Sequence, residues 1–153
     1  MGVIADLRDR GTVADYQAFL ERIPYARFLG LSVDSIDERD RVVLRLRFDR
    51  GIVGNPNLPA VHGGVIGAVL EWAAILQLVR EGEGDHLAKP INLTVDYLRS
   101  AGPRDTLAHA TITKHGRRVA NVRVEAWQDD PEKPVAAAHG HFLMPHTPNP
   151  APR

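Results

Sequence analysis

The sequence predicts an α+β domain in which one antiparallel β-sheet curls around a long buried helix. The stretch from about residue 64 to residue 81 is apolar nearly all round a helix, which is typical of a helix inside a core. Segments before and after it alternate apolar and polar residues, as half-buried strands do. These segments are joined by short turns, whereas parallel pairing needs crossovers of about a dozen residues. The strands are therefore expected to pair antiparallel.

The first predicted element is a helix that runs from Thr12 to about Arg22. Thr12 is a typical N-cap residue, and Asp15 three positions later makes an acidic variant of the capping box. We expect Pro24 to mark the end of this helix, because proline interrupts the helical hydrogen-bond ladder.

Two strands are predicted next, over residues 31–36 and 41–48. The second alternates more regularly, with apolar Leu44, Leu46 and Phe48 on one face and Arg45 and Arg47 on the other. The charged run of residues 37–40 predicts the turn between them.

An irregular segment rich in glycine and proline, residues 50–59, leads to the central helix. This helix is predicted to begin near Gly63 or Gly64 and to end by Glu81, a length of about 25 Å at ~1.5 Å per residue. Its apolar run is shorter than the roughly 20 residues that a membrane span needs. We therefore expect no membrane association.

Four further strands are predicted, over residues 91–97, 107–114, 119–127 and 135–142. A curled sheet around one helix leaves unpaired edge strands, which favour pairing with a second copy. We therefore expect a homo-oligomer, either a dimer or a tetramer. One domain is predicted over residues 1–144, followed by a flexible tail, residues 145–153, that contains four prolines.

Composition excludes several classes of function. Nineteen basic residues balance nineteen acidic ones, so the chain has no global charge for nucleic acid or an anionic membrane. There is no cysteine, which excludes disulfides, thiolate zinc sites and a cysteine nucleophile.

His139 and His141 share a strand face without a clear third ligand, and we expect no metal or cofactor. The N-terminus does not resemble a signal peptide, so a cytoplasmic protein is expected.

Glu71 is the first candidate functional residue. It is the only charged residue between His62 and Arg80, and ionised carboxylates are rarely buried unless they are paired or used. Gly64, Gly67 and Ala68 share its helix face, one and two turns back. A flat ligand could lie along this strip against the backbone. Alternatively, Glu71 is the structural partner of a buried arginine.

The start of the helix is the second candidate. The amides of Gly63 and Gly64 are expected to be unpaired first-turn donors at the positive end of the helix dipole. A donor aimed at a developing oxyanion is typically worth about 3–4 kcal/mol. Glu71 lies ~10 Å away along the axis, so either the glycine amide precedes the helix and folds back, or the carboxylate acts through its side chain and a water. His62 can also be a simple cap.

The segment from Asn55 to Ala74 resembles the active-site stretch of hotdog-fold thioesterases of the phenylacetate-degradation (PaaI-like) type. The shared pattern is an asparagine loop, His-Gly-Gly, and an acidic residue nine positions after the histidine. Residues 94–99 and 116–119 look like two further family segments, and the resemblance covers roughly residues 23–144. It implies a hotdog fold.

The resemblance also implies an acyl-CoA thioesterase. Glu71 would be the general base or nucleophile, the Gly63 amide would polarise the thioester carbonyl, and His62 and Asn55 would orient substrate or water. In this family the site forms across a dimer interface, which would remove the axial-distance problem.

Substrate contacts are expected from a second group of residues. Gly64 and Asn57 belong to the same stretch as the catalytic candidates. Because CoA carries phosphates and arginine binds phosphate through its planar fork, we expect Arg99, Arg117 and Arg118 to flank the entrance.

Two other functions remain open. One is a hydratase or dehydratase, but hotdog dehydratases resemble one another in a His-Phe-Pro-Gly stretch, and residues 53–56 here contain no histidine. The other is an acyl-CoA sensor, which has no need of a carboxylate in its site.

Overall fold

The computed structural model describes residues 3–82 and 86–145. In chain order its elements are α1 (Val3–Arg10), α2 (Val13–Glu21), α3 (Pro24–Leu29), β1 (Leu31–Ile36), β2 (Val42–Leu46), a 3₁₀ turn (Arg50–Ile52), β3 (Val53–Asn55), β4 (Ala60–Val61), α4 (Gly63–Glu81), β5 (Lys89–Tyr97), β6 (Thr106–His115), β7 (Val119–Trp127) and β8 (Ala136–Leu143). Nearly all of the predicted C-terminal tail lies outside the described residues.

Six strands form one sheet in the order β1-β2-β6-β7-β8-β5, and every neighbouring pair is antiparallel. The helix α4 packs against one face of this sheet. Fully buried Val69, Leu70 and Leu76 on α4 share a single core with Val122 and Val124 on β7. The predicted architecture, an antiparallel sheet around a long central helix, is confirmed.

The N-terminal region contains more helix than the sequence predicts. The capping box of α2 is confirmed, because the Thr12 amide donates to the Asp15 carboxylate at 2.8 Å and the Asp15 amide donates to Thr12 Oγ1 at 3.3 Å. Pro24, however, also begins a further helix, α3, at a first-turn position where proline is favoured. Gly30, with φ 71°, ends α3 in the left-handed conformation.

The two edges of the sheet differ. The edge strand β1 packs against α2, whose Gln17 side chain accepts a hydrogen bond from the Val33 amide at 2.9 Å. We call this the covered edge. The other edge strand, β5, is exposed along most of its length, and in the described ranges no element pairs with its outer side. We call it the open edge.

A buried glutamine joins α4 to the start of β2. Gln77 is fully buried; its Oε1 accepts a hydrogen bond from the Val42 amide at 2.8 Å, and its Nε2 donates to the Asp40 carbonyl at 3.1 Å. Asp40 has a φ of 61° in the tight turn before β2. The side chain of Gln77 therefore fixes the β1–β2 turn against the central helix.

The helix α4 is long and apolar enough to cross a membrane by length and composition. Ten of its nineteen residues are buried inside the domain, including Gln77. Here it is the core helix around which the sheet is built.

Candidate active site

Glu71 lies half-buried on α4. Within the described residues it has neither an ion pair nor a hydrogen bond to another side chain. Arg80, the nearest arginine in sequence, instead binds Asp40 and the Gly11 carbonyl. Partial burial raises the pKa of the Glu71 carboxyl above its usual range, because removal of water disfavours the charged form. An unpaired carboxyl of this kind is available for proton transfer.

Glu71 lines an open cavity of about 490 Å³. Its other lining residues are Tyr25, Gly64, Gly67, Ala68, Trp72 and Leu93. The strip of small residues predicted from the sequence therefore exists as one wall of this cavity, which we call the Glu71 cavity. Its volume falls within the range of small-molecule sites, roughly 300–1,000 Å³.

His62 is the N-cap of α4. Its Nδ1 accepts a hydrogen bond from the Gly64 amide at 2.8 Å. The expectation that both glycine amides are unpaired is therefore wrong for Gly64, because the cap side chain reaches the second helical amide. Since Nδ1 is the acceptor, the neutral ring carries its proton on Nε2.

The Gly63 amide is the donor that stays available at this helix end. No acceptor is bonded to it within residues 3–82 and 86–145. Its own carbonyl accepts a hydrogen bond from the Tyr97 hydroxyl at 2.9 Å, and a Cβ at this position would lie 3.2 Å from the Tyr97 ring. Glycine therefore allows Tyr97 to approach the start of α4 closely.

Gly63 lines a different cavity from Glu71. This second cavity, of about 410 Å³, is formed by Ala60, Val61, Gly63, Ile66, Tyr97, Leu98, Arg99, Ser100, Ala101 and Val135. Gly63 is already the first regular residue of α4, so its amide does not precede the helix and fold back. Eight residues separate it from Glu71, about 12 Å along the axis at ~1.5 Å per residue. One chain does not bring the two groups to one carbonyl.

The two asparagines of the loop lie outside both cavities. Both are exposed, and the Asn55 side chain accepts a hydrogen bond from the Asn57 amide at 3.0 Å. This is a local turn of the kind that asparagine side chains form. Gly54, just before them, packs directly on His62, since a Cβ there would lie 2.9 Å from the His62 Cα.

The three predicted phosphate-binding arginines lie at opposite ends of the sheet. Arg99 follows the end of β5, lines the cavity of Gly63 and donates to the Pro134 carbonyl at 2.8 Å. Arg117 and Arg118 lie in the β6–β7 turn, which neighbours the Lys89 end of β5 through Leu143. The length of β5 is about 26 Å at ~3.3 Å per residue. One chain therefore does not place all three around one ligand.

No group of three or more metal-ligating side chains occurs in the part of the chain that the structure describes. His139 and His141 share the outer sheet face as predicted, and His141 Nδ1 lies 3.0 Å from Asn92 Oδ1.

Tyr25 and Tyr97 are the site residues that sequence patterns did not identify. Tyr97 has the same strand parity as Leu93 and Val95, which indicates its sheet face but not its contact with Gly63. Tyr25 lies on α3, which was not predicted. The Pro24 and Gly30 positions were the available signals for that helix.

The chain matches a known protein family and named relatives. A family model described as "Acyl-CoA thioesterase N-terminal domain" matches residues 55–143. A medium/long-chain acyl-CoA thioesterase, YigI of Salmonella typhimurium, is 30% identical, over 84% of this chain and 90% of its own length. The Escherichia coli K12 protein of the same name is 28% identical, again over 84% and 90%.

Solved structures share the fold. A protein from Chromobacterium violaceum is 39% identical, with a TM-score of 0.73 over 93% of this chain and 96% of its own. The PaaI protein of the E. coli phenylacetic acid degradation operon has a TM-score of 0.72 at 21% identity, over 86% of this chain and 91% of its own.

Proposed function

This chain belongs to the acyl-CoA thioesterase family, has the hotdog fold and is a thioester hydrolase, and from that premise we propose that Glu71 and the Gly63 amide carry its reaction. The observation that carries the proposal is the unpaired, half-buried Glu71 in a cavity walled by small residues. Medium or long acyl chains, the substrates named for the YigI relatives, are the proposed acyl groups.

In the proposed reaction the Glu71 carboxylate removes a proton from a water molecule, and the water oxygen attacks the thioester carbonyl carbon. The Gly63 N–H donates to the oxyanion that forms on the carbonyl oxygen. The carbon–sulfur bond then breaks, and the CoA thiolate leaves and takes the proton that Glu71 removed from the water. Direct attack by the carboxylate, through an anhydride that water then cleaves, is the alternative course.

The other site residues have supporting roles in this proposal. His62 fixes the start of α4 through its bond to the Gly64 amide, and its Nε2 side is available to orient water. Gly64 leaves space for the acyl group, because it has no side chain. Asn55 and Asn57 belong to a loop of one subunit that would contact substrate bound in the neighbouring subunit.

A dimer built on the open edge would complete the site. When two copies of β5 pair antiparallel about a two-fold axis, the Lys89 end of one strand lies beside the Tyr97 end of the other. Groups that one chain holds about 12 Å or about 26 Å apart can then meet across the interface. Gly63 of one subunit would serve Glu71 of the other, and Arg99 would share CoA phosphates with Arg117 and Arg118 of the partner subunit.

The direct test is release of free CoA thiol from a panel of acyl-CoAs, followed with a thiol-reactive chromophore. The chain has no cysteine and gives no background. We expect wild-type turnover, and a loss of about 10²–10⁴-fold in kcat for Glu71→Gln, the usual size of a general-base effect. An inert wild type that still binds acyl-CoA would identify a sensor and contradict the proposal.

A further inference from the structure

Two aromatic side chains on α3 are exposed where a core would normally bury them. Tyr25 is 51% exposed and Phe28 is 81% exposed. Their rings are stacked, with centroids 6.3 Å apart and an interplanar angle of 16°. Adjoining exposed apolar side chains of this size mark binding surfaces more often than isolated ones do.

The pair is held in place by the rest of α3. Ala26 and Leu29 are buried in the core, so the helix is anchored through the face that adjoins the aromatic pair. Pro24 begins the helix and Gly30 ends it in the left-handed conformation. A six-residue helix fixed at both ends presents Tyr25 and Phe28 at a defined position.

Tyr25 is also a wall of the Glu71 cavity. Gly67 and Ala68 leave space beside the carboxylate, and Trp72 and Leu93 supply the other large apolar walls. A two-carbon acyl group would occupy a small part of about 490 Å³. A longer acyl chain would fill the cavity and bury the ring face of Tyr25.

We infer that Tyr25, supported by the stacked Phe28, is a specificity-determining residue that contacts the acyl chain and sets the preference of the enzyme for longer acyl groups. The inference rests on the proposed function, because it places the acyl chain in the cavity of Glu71. Each methylene buried against an apolar wall contributes roughly a fourfold gain in affinity. Selectivity should therefore rise with each carbon that reaches the wall.

The test is kcat/KM for a series of saturated acyl-CoAs from acetyl to lauroyl. In Tyr25→Ala we expect about a tenfold or larger loss for the longest chains, expressed mainly in KM, and a change within about twofold for acetyl-CoA. Tyr25→Phe keeps the ring and should retain the wild-type chain-length profile. Phe28→Ala should give a smaller loss of the same kind, because Tyr25 loses its stacking partner.

Val3→Ala is the matched control, since Val3 is an exposed apolar residue on α1 that does not line the Glu71 cavity. Equal losses for Tyr25→Ala at every chain length would overturn the inference. So would a change in oligomeric state by light scattering, which would assign the aromatic pair to a subunit interface. A wild type without turnover would overturn the proposed function itself, whereas turnover with an unchanged profile in Tyr25→Ala would overturn only this inference.

Discussion

At the scale of single residues, Glu71 combines a chemical advantage with a cost in stability. Its carboxyl is partly removed from water and has no cationic partner within the described residues, so its pKa is raised above the ordinary value. A base with a raised pKa accepts a proton more readily than an ordinary carboxylate does. The same environment makes the ionised form unfavourable in the folded protein.

The pH dependence of turnover follows from this environment. Because the base must be ionised, kcat/KM should fall tenfold per pH unit below the raised pKa of Glu71, with a midpoint above the ordinary glutamate value of about 4.3. A pH–rate profile measured with one acyl-CoA gives the midpoint. A midpoint at or below the ordinary glutamate value would contradict Glu71 as the base.

The pH dependence of thermal stability tests the Glu71 carboxyl independently of turnover. A raised pKa in the folded state stabilises the fold at low pH, and this contribution is lost as pH rises through the folded pKa. Glu71→Gln should therefore match the wild type in Tm near pH 4 and exceed it at pH 8. Glu132→Gln, at an exposed turn glutamate, controls for the simple loss of a charge.

Gly63 offers a test of a backbone donor, because proline is tolerated at the first position of a helix. Gly63→Pro removes the N–H and should lower kcat by about 10²–10³-fold, the effect of losing one oxyanion donor. Gly63→Ala is the control for crowding, because its Cβ meets the same Tyr97 ring. It keeps the N–H, so its kcat should stay within about fivefold of wild type. Equal losses in the two variants would assign the effect to crowding of Tyr97.

Sequence alone predicted the candidate residues of this site but not all of their contacts. A lone carboxylate on an apolar helix and two glycines at its start are visible in the order of residues. The bond from His62 to the Gly64 amide depends on one side-chain rotamer, and the contact of Tyr97 with Gly63 depends on tertiary packing. Neither leaves a periodic signal.

At the scale of elements, the central helix is joined to the sheet by polar as well as apolar contacts. Gln77 satisfies the first amide of β2 from inside the core. Buried backbone groups need such partners, because an unpaired one costs about 1–3 kcal/mol.

Gln77→Leu should therefore destabilise the fold by about 1–3 kcal/mol, because it leaves the Val42 amide buried without an acceptor. The measurement is the free energy of unfolding from urea denaturation. Gln17→Leu removes a similar bond from the more exposed Val33 amide and should cost less. A Gln77→Leu variant as stable as wild type would show that water or a shifted backbone group replaces the side chain.

The long helix and the regular strands were predictable because each repeats its pattern over many residues. The bounds of β1 and β7 agree with the predicted 31–36 and 119–127, and those of β2, β5, β6 and β8 differ by one or two residues. The helices α1 and α3 were missed because eight and six residues are too few to establish a 3.6-residue period. The short β3–β4 pair was hidden inside a segment rich in glycine and proline.

At the scale of the whole molecule, the candidate site is divided between places that one chain keeps apart. Antiparallel pairing was predictable from turn lengths, but the strand order was not, because β5 joins the sheet beside β8 rather than beside its neighbour in sequence. That order makes β5 an edge and puts it next to the Glu71 face of α4.

Mixing two inactive variants tests whether the site is shared between subunits. Glu71→Gln and Gly63→Pro would each abolish both sites of their own dimer. Random reassociation makes about half the dimers hybrid, each with one intact site, so about a quarter of wild-type activity should return. The dimer itself should have a mass of about 34 kDa by light scattering, twice 16.9 kDa. No recovery from confirmed hybrids would place the whole site within one chain.

The contrast between the covered edge and the open edge sets a limit on assembly by strand pairing. A sheet with two free edges can add copies at both sides without end, which is the route to fibres. Here α2 lies against β1, and the Gln17 side chain already accepts the hydrogen bond of the Val33 amide. In the proposed dimer through β5, both outer edges of the continuous sheet would be covered edges. In that dimer α2 would end the sheet at both sides, so that growth by strand pairing stops at two copies.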